Sequence, residues 1–230
     1  MCTITLLLIT VLMNPVSSTV LASDSATIST TQEASGFLLP FQGKWFVVWG
    51  GNTKEQNYHI ESQNQTGAFD FVIISENGKT YKQSGKMNED YFAFGMPILS
   101  PKDGTVTDVI EGVRDNVLGI KNAYSALGNT IVIQHIDNVF SVLAHLKLGS
   151  ITVRVGDQVK SGEVIAQCGN SGHSSEPHLH FHLQDNVIIP EGIGIKCFFS
   201  KIILERDGKT EVKTNYSPIK SDIISNLYKE

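Results

Sequence analysis

The residues best equipped for chemistry lie between Cys168 and Gln184, in C-G-N-S-G-H-S-S-E-P-H-L-H-F-H-L-Q. A glycine-punctuated turn ends at Pro177, and an alternating run follows in which His178, His180 and His182 are separated by Leu179 and Phe181. Successive side chains of a strand point to opposite faces, so the three imidazoles are expected on one face and Leu179, Phe181 and Leu183 on the other, against the core. Three of the chain's seven histidines within five positions make a poor apolar strand. They make a good metal or acid–base site. His145 in L-A-H-L, Asp70 in F-D-F and His59 in N-Y-H are the further groups such a site would recruit.

The elements around these residues read as short strands. K-W-F-V-V-W ends at Gly50-Gly51, and a polar loop over 52–64 carries His59 and leads into a strand over 68–74 that holds Asp70. Asn77-Gly78, Asp137-Asn138 and Asp207-Gly208 mark hairpins, the first joining 71–75 to 80–83. Further strands are expected at 105–110, 130–134, 139–144, 151–155, 163–167, 195–204 and 210–213, while 112–129 reads as a loop rimming a groove. Turn signals every 8–12 residues or so predict an all-β, mainly antiparallel sandwich or barrel. A short C-terminal helix is expected over 216–230: Ser217 caps it, Pro218 suits its first position, and Ile219, Ile223, Ile224, Leu227 and Tyr228 share a face.

The first 22 residues carry no charged side chain and contain an apolar run from Ile4 to Met13, which reads as a signal peptide cleaved after Ala22. That run is short for a bilayer, so no stable membrane span is expected once it is removed. Residues 23–36 are small and polar, the composition of a flexible linker, and the folded domain is expected over 37–215. Export is the compartment this implies. Net charge is −5 with no basic run, which argues against a nucleic-acid partner. Cys168 and Cys197 allow at most one disulfide in the mature chain, and Cys168 reads as a buried strand residue rather than a ligand.

Taken together these segments resemble the lysostaphin-type (LytM-like) zinc metallopeptidases, a family with the duplicated-hybrid-motif fold whose members mostly cut peptide cross-bridges of bacterial cell walls. The resemblance lies in F-G-M-P-I-L-S-P-K-D-G-T-V, in G-N-T-I-V-I-Q-H with F-S-V-L-A-H-L, and in V-R-V-G-D-Q-V-K-S-G-E-V-I-A-Q-C-G-N-S-G-H-S-S-E-P-H-L-H-F. It covers about residues 56–184. It implies zinc as cofactor, with Asp70 and His180 as ligands, and His145 and His178 as the unmetallated pair that takes a proton from water or hydrogen-bonds the oxyanion. Peptidoglycan or another peptide is then the substrate.

The family spaces its first two ligands H-x-x-x-D, which would place a histidine where this chain has Thr66. His59, eleven residues before Asp70, is the expected replacement, since a loop can return an imidazole to the metal. His182 is a candidate for orienting a ligand, and Tyr58 for supplying a hydroxyl to the cleft. His173 and Glu176 read as surface turn residues, and His135 as structural. Two other classes compete. One is a degenerate member of the fold that binds the wall without hydrolysis. The other is a carrier or phosphate-passing domain suggested by V-G-D-x-V-x-x-G, but Lys160 lacks the usual flanking methionine, and Asp70 has no place in phosphate transfer between histidines.

Overall fold

The computed structural model describes residues 32–227. Among these are thirteen strands, five 3₁₀ turns and no α-helix. The strands are β1 (Glu33–Phe37), β2 (Trp45–Trp49), β3 (Phe69–Val72), β4 (Pro97–Leu99), β5 (Gly104–Ile110), β6 (Asn129–Gln134), β7 (Phe140–Leu146), β8 (Gln158–Val159), β9 (Val164–Gln167), β10 (Leu179–Gln184), β11 (Gly194–Arg206), β12 (Lys209–Tyr216) and β13 (Ile223–Asn226). Eleven join one sheet in the order β1-β11-β13-β2-β3-β10-β7-β6-β5-β8, with β12 paired to β11, while β4 and β9 pair separately. A further pairing of β10 with β11 closes β11, β13, β2, β3 and β10 into a ring. Every pairing is antiparallel except that of β1 with β11. The all-β expectation holds.

Closure explains the composition of β3 and β10. Both are buried along their whole length, so each must be apolar on one face and satisfied on the other. Phe69 and Phe71 stack with centroids 5.4 Å apart, and Phe41 lies on Trp45 at 4.6 Å and edge-on to Phe71 at 5.1 Å. Leu179, Phe181 and Leu183 are fully buried in the same core. That is the expected inward face of the histidine strand. Each such side chain contributes about 1.5–3 kcal/mol by leaving water.

Two expectations at the ends of the domain are overturned. The C-terminal segment is not helical: 217–222 turn the chain, and Ile223–Asn226 form β13 between β11 and β2. Asp222, fully buried, receives hydrogen bonds from Ile219 N, Arg206 Nε and Tyr216 Oη, which fixes the turn. Ile224 enters the core, so sheet pairing outweighs a helical spacing that β-branched residues support weakly. At the other end, strand structure begins at Glu33, inside the stretch read as linker. An edge strand needs only backbone partners, and Phe37 supplies its apolar anchor.

Smaller differences concern pairing. The Asn77-Gly78 turn forms, with Ser75 N donating to Lys79 O at 2.9 Å, yet Thr80–Gln83 makes no strand beyond an isolated bridge of Tyr81 to Tyr91. Residues 151–154 likewise join no strand. The leader, the linker up to residue 31, and Tyr228 lie outside the described residues. No helix of the described residues is long and apolar enough to cross a membrane.

Candidate metal centre

Register builds the site. In the antiparallel pair of β3 and β10, His180 stands directly opposite Asp70, so the two side chains share a face. His180 Nδ1 lies 2.9 Å from Asp70 Oδ1. His59 arrives from a 3₁₀ turn, Tyr58–Glu61, and places Nε2 2.9 Å from Asp70 Oδ2. All three residues are buried, and their donor atoms lie within 4.8 Å of one another. His178, at the mouth of β10, puts Nε2 3.9 Å from Asp70 Oδ1.

His145 reaches the same place by a defect in its strand. Asn129 pairs with Leu146 and Ile131 with Leu143, so two residues of β7, Ala144 and His145, oppose the single Thr130. This is a β-bulge, and it lets Leu143 and Leu146, three apart, both enter the core. His145 adopts a left-handed backbone, φ +59°, unusual for a residue with a Cβ. The bulge turns its ring toward His178, with centroids 4.7 Å apart.

Outer hydrogen bonds decide where the ring protons sit. His145 Nδ1 lies 2.8 Å from Ser171 O, and His178 Nδ1 lies 2.8 Å from Glu176 O. A carbonyl oxygen only accepts, so each Nδ1 carries the hydrogen and each Nε2 presents a lone pair to the interior. His59 Nδ1 donates in the same way to Gln65 Oε1 at 3.0 Å. Burial lowers the pKa of His145 well below its ordinary value, reinforced by the neighbouring histidines, and burial lowers that of His180 despite the Asp70 bond. Both rings are therefore neutral near pH 7.

His59 Nε2 and His180 Nδ1 thus lie 2.9 Å from the two oxygens of one carboxylate, close enough for ring N–H donation to it or for a cation shared among the three groups. Two imidazoles and a carboxylate are a donor set well suited to zinc. Burial alone would raise the pKa of Asp70, but hydrogen bonds with His180 and His59 and the positive charge of its histidine neighbours outweigh it and hold the carboxyl well below its usual range. The residues present fit the ion.

A cleft of about 300 Å³ opens over this face, lined by Trp49, Tyr58, Asp70, Lys121, His145 and His178, among others. Tyr58 is half-exposed, stacked near the His59 ring at 4.1 Å, and its hydroxyl is pushed up to about 12 by burial and by the charge of Asp70. Lys121 belongs to the long loop read as a groove rim.

Residues 88–189 match the model of Peptidase family M23. Through this segment, just under half of the chain, the protein is similar to that family. An uncharacterized metalloprotease of Buchnera aphidicola (subsp. Baizongia pistaciae, strain Bp) is 33 % identical over 55 % of this chain and 35 % of its own length. The glycyl-glycine endopeptidase ALE-1 of Staphylococcus capitis is 33 % identical over 42 % of this chain and 24 % of its own. The chain thus spans about a third or less of these relatives. The solved M23 metalloprotease pseudoalterin, from the deep sea, aligns with a TM-score of 0.45 at 16 % identity, covering 80 % of this chain and 98 % of that one.

The resemblance read from the motifs is therefore to the right family. The structure brings together His59, Asp70, His145, His178 and His180, with Tyr58 at the rim. Thr66, at the family's usual histidine position, turns its hydroxyl toward Gly194 O at 3.4 Å. His182 is fully buried behind His180. His173 is exposed at the cleft edge, and His135 is tied to Asp103 O and Ser141 Oγ away from it. Glu176 serves His178 through its carbonyl, while its carboxylate accepts from Thr80. Cys168 and Cys197 are both free and buried.

Sequence reasoning missed four acceptors: Gln65 behind His59, the Ser171 carbonyl behind His145, the Glu176 carbonyl behind His178, and Gln184 behind His182. Gln184 had a signal, for it continues the every-second-residue polar face of β10. Gln65 and Ser171 sit in irregular backbone and had none.

Proposed function

We propose that this chain is an exported zinc metalloendopeptidase that hydrolyses peptide bonds in peptidoglycan cross-bridges or similar glycine-rich peptides. The observation that carries the reading is the convergence of His59 Nε2, Asp70 and His180 Nδ1, whose donor atoms lie within 4.8 Å of one another. The match of residues 88–189 to M23 supports peptidase chemistry, and the glycyl-glycine endopeptidase among the relatives supports the substrate class. The uncharged apolar leader over residues 1–22 supports export.

His59, Asp70 and His180 would hold the metal, and a zinc ion bound there supplies a Lewis acid that lowers the pKa of water and polarises a carbonyl. The remaining chemistry belongs to the protein. His145 and His178 present unprotonated Nε2 atoms to the cleft, so one of them takes the proton of the attacking water. Once protonated, that Nε2–H donates to the tetrahedral oxyanion and then passes its proton to the leaving amine. Ser171 O and Glu176 O keep both rings in the tautomer this requires. Lining residues Trp49, Tyr58 and Lys121 would seat the peptide across the cleft.

The test is zinc content and cleavage of peptidoglycan or a pentaglycine peptide by the purified chain and His59→Ala. Near-stoichiometric zinc and cleavage in the parent, both lost in the variant, are expected. Cleavage that survives with zinc removed overturns the reading. Zinc retention without cleavage of any wall preparation would instead favour a wall-binding module, the alternative that Thr66 at the usual ligand position keeps in play.

A further inference from the structure

Behind His180 the polar face of β10 continues into the protein as a file of buried side chains. His180 Nε2 lies 2.9 Å from His182 Nδ1, and His182 Nε2 lies 2.9 Å from Gln184 Oε1. Gln184 Nε2 donates to Asn186 O at 2.6 Å. His182 and Gln184 are fully buried. Asn186 is itself fixed, its Oδ1 accepting from Ile188 N at 2.9 Å. The loop closes so tightly that a Cβ on Gly192 would lie 2.7 Å from Gln184 Cδ. Turning the amide over would set Oε1 against Asn186 O, so that hydrogen bond fixes its orientation.

Protons along the file are then determined. Because its amino end is committed to Asn186 O, Gln184 offers His182 only an oxygen. A neutral His182 must carry its hydrogen on Nε2 and present a lone pair at Nδ1. A neutral His180 in turn donates from Nε2 and keeps Nδ1 as the lone pair for an ion held beside Asp70 Oδ1. An amide two residues removed from the ligand sets the ligand's donor atom.

We propose that Gln184 is a positioning residue of the metal centre, acting through His182 to hold His180 in the tautomer that binds the ion through Nδ1. The proposal rests on the metallopeptidase reading for its ion, but its first claim concerns protons alone. Outer partners of this kind orient metal-binding imidazoles and fix their tautomer, and their loss costs roughly 10–100-fold in metal affinity. A merely structural Gln184 would affect stability and leave tautomer and affinity alone.

The experiment uses the full chain, its histidine rings labelled with ¹⁵N, in the parent, Gln184→Met and Gln184→Glu. Long-range ¹⁵N–¹H spectra read the tautomers, and chelator competition reads zinc affinity. The parent is expected to carry the His182 proton on Nε2 with and without zinc. In Gln184→Met the proton divides between the two nitrogens and zinc binding weakens by about 10–100-fold. Gln184→Glu, which keeps an oxygen toward His182, retains affinity near that of the parent. A parent His182 protonated on Nδ1 overturns the proposal even if no variant folds. So does a folded Gln184→Met that binds zinc as tightly as the parent. A parent with the Nε2 proton in place that takes up no zinc sinks the metallopeptidase reading and leaves the proton file standing.

Discussion

The left-handed backbone at His145 makes a prediction opposite to the usual order of small residues. Inside a strand, Gly is normally less stable than Ala by about 0.5–1 kcal/mol, because it loses more backbone freedom on folding. At φ +59° a Cβ costs about 1–2 kcal/mol that Gly does not incur. His145→Ala and His145→Gly both lose the bond from Nδ1 to Ser171 O, so their difference isolates the backbone. The balance favours Gly by roughly 0.5–1 kcal/mol. At about 2–4 °C per kcal/mol for a chain of this size, His145→Gly should melt roughly 1–4 °C above His145→Ala. Ala144, buried beside it with no positive φ, is the control: Ala144→Gly should lower stability. Thermal and urea denaturation of the metal-free variants provides the assay. If His145→Ala proves equal to or more stable than His145→Gly, the bulge does not hold His145 as described, and the account of how its ring reaches the cleft fails with it.

Three further outcomes can be checked. His59→Ala should abolish zinc binding, and adding Thr66→His should not restore it, because residue 66 faces Gly194 rather than the cleft; metal analysis that finds restored zinc would show that the older ligand position is still usable. The metal-free chain should lose stability as pH falls below about 6.5: burial lowers the pKa values of His145, His180 and His182, the last to about 3, so the unfolded chain binds protons first. A melting temperature unchanged between pH 7.5 and 5 contradicts this. Gly172→Ala should cost more than about 1–2 kcal/mol, since Gly172 has φ +80° and an added Cβ would lie 2.3 Å from Gly128 N; denaturation within error of the parent refutes the close approach of the two loops.

What the sequence revealed and what it hid divide along one physical line. Local alternation made β10 legible, with His178, His180 and His182 on one face and Leu179, Phe181 and Leu183 on the other, because period two is enforced wherever one face is buried. Asp70 between two phenylalanines was legible for the same reason. Features set by distant partners were hidden. Ile223 and Ile224 satisfy a helical pattern as well as a strand, and only the gap between β11 and β2 decides the matter. The bulge at His145 follows from pairing with β6, which no local pattern records. Backbone acceptors such as Ser171 O have no side-chain signature at all.

In the proposed centre, His59 would keep the geometry of a metal site that has lost its usual spacing. Four residues before Asp70, a ligand would ride on backbone leading directly into the strand. His59 instead rides on a 3₁₀ turn, which by itself is a poor platform because so short an element has few internal bonds. Asn57 compensates. Fully buried, it donates to Ala68 O at 2.9 Å and to Gly51 O at 3.3 Å, and it accepts from His59 N at 3.2 Å. One side chain thereby ties the turn both to the end of β2 and to the residue preceding β3. Gln65 then fixes the ring from its outer side. These bonds fix His59 relative to Asp70, and coordination depends on where donor atoms converge rather than on how many residues separate them.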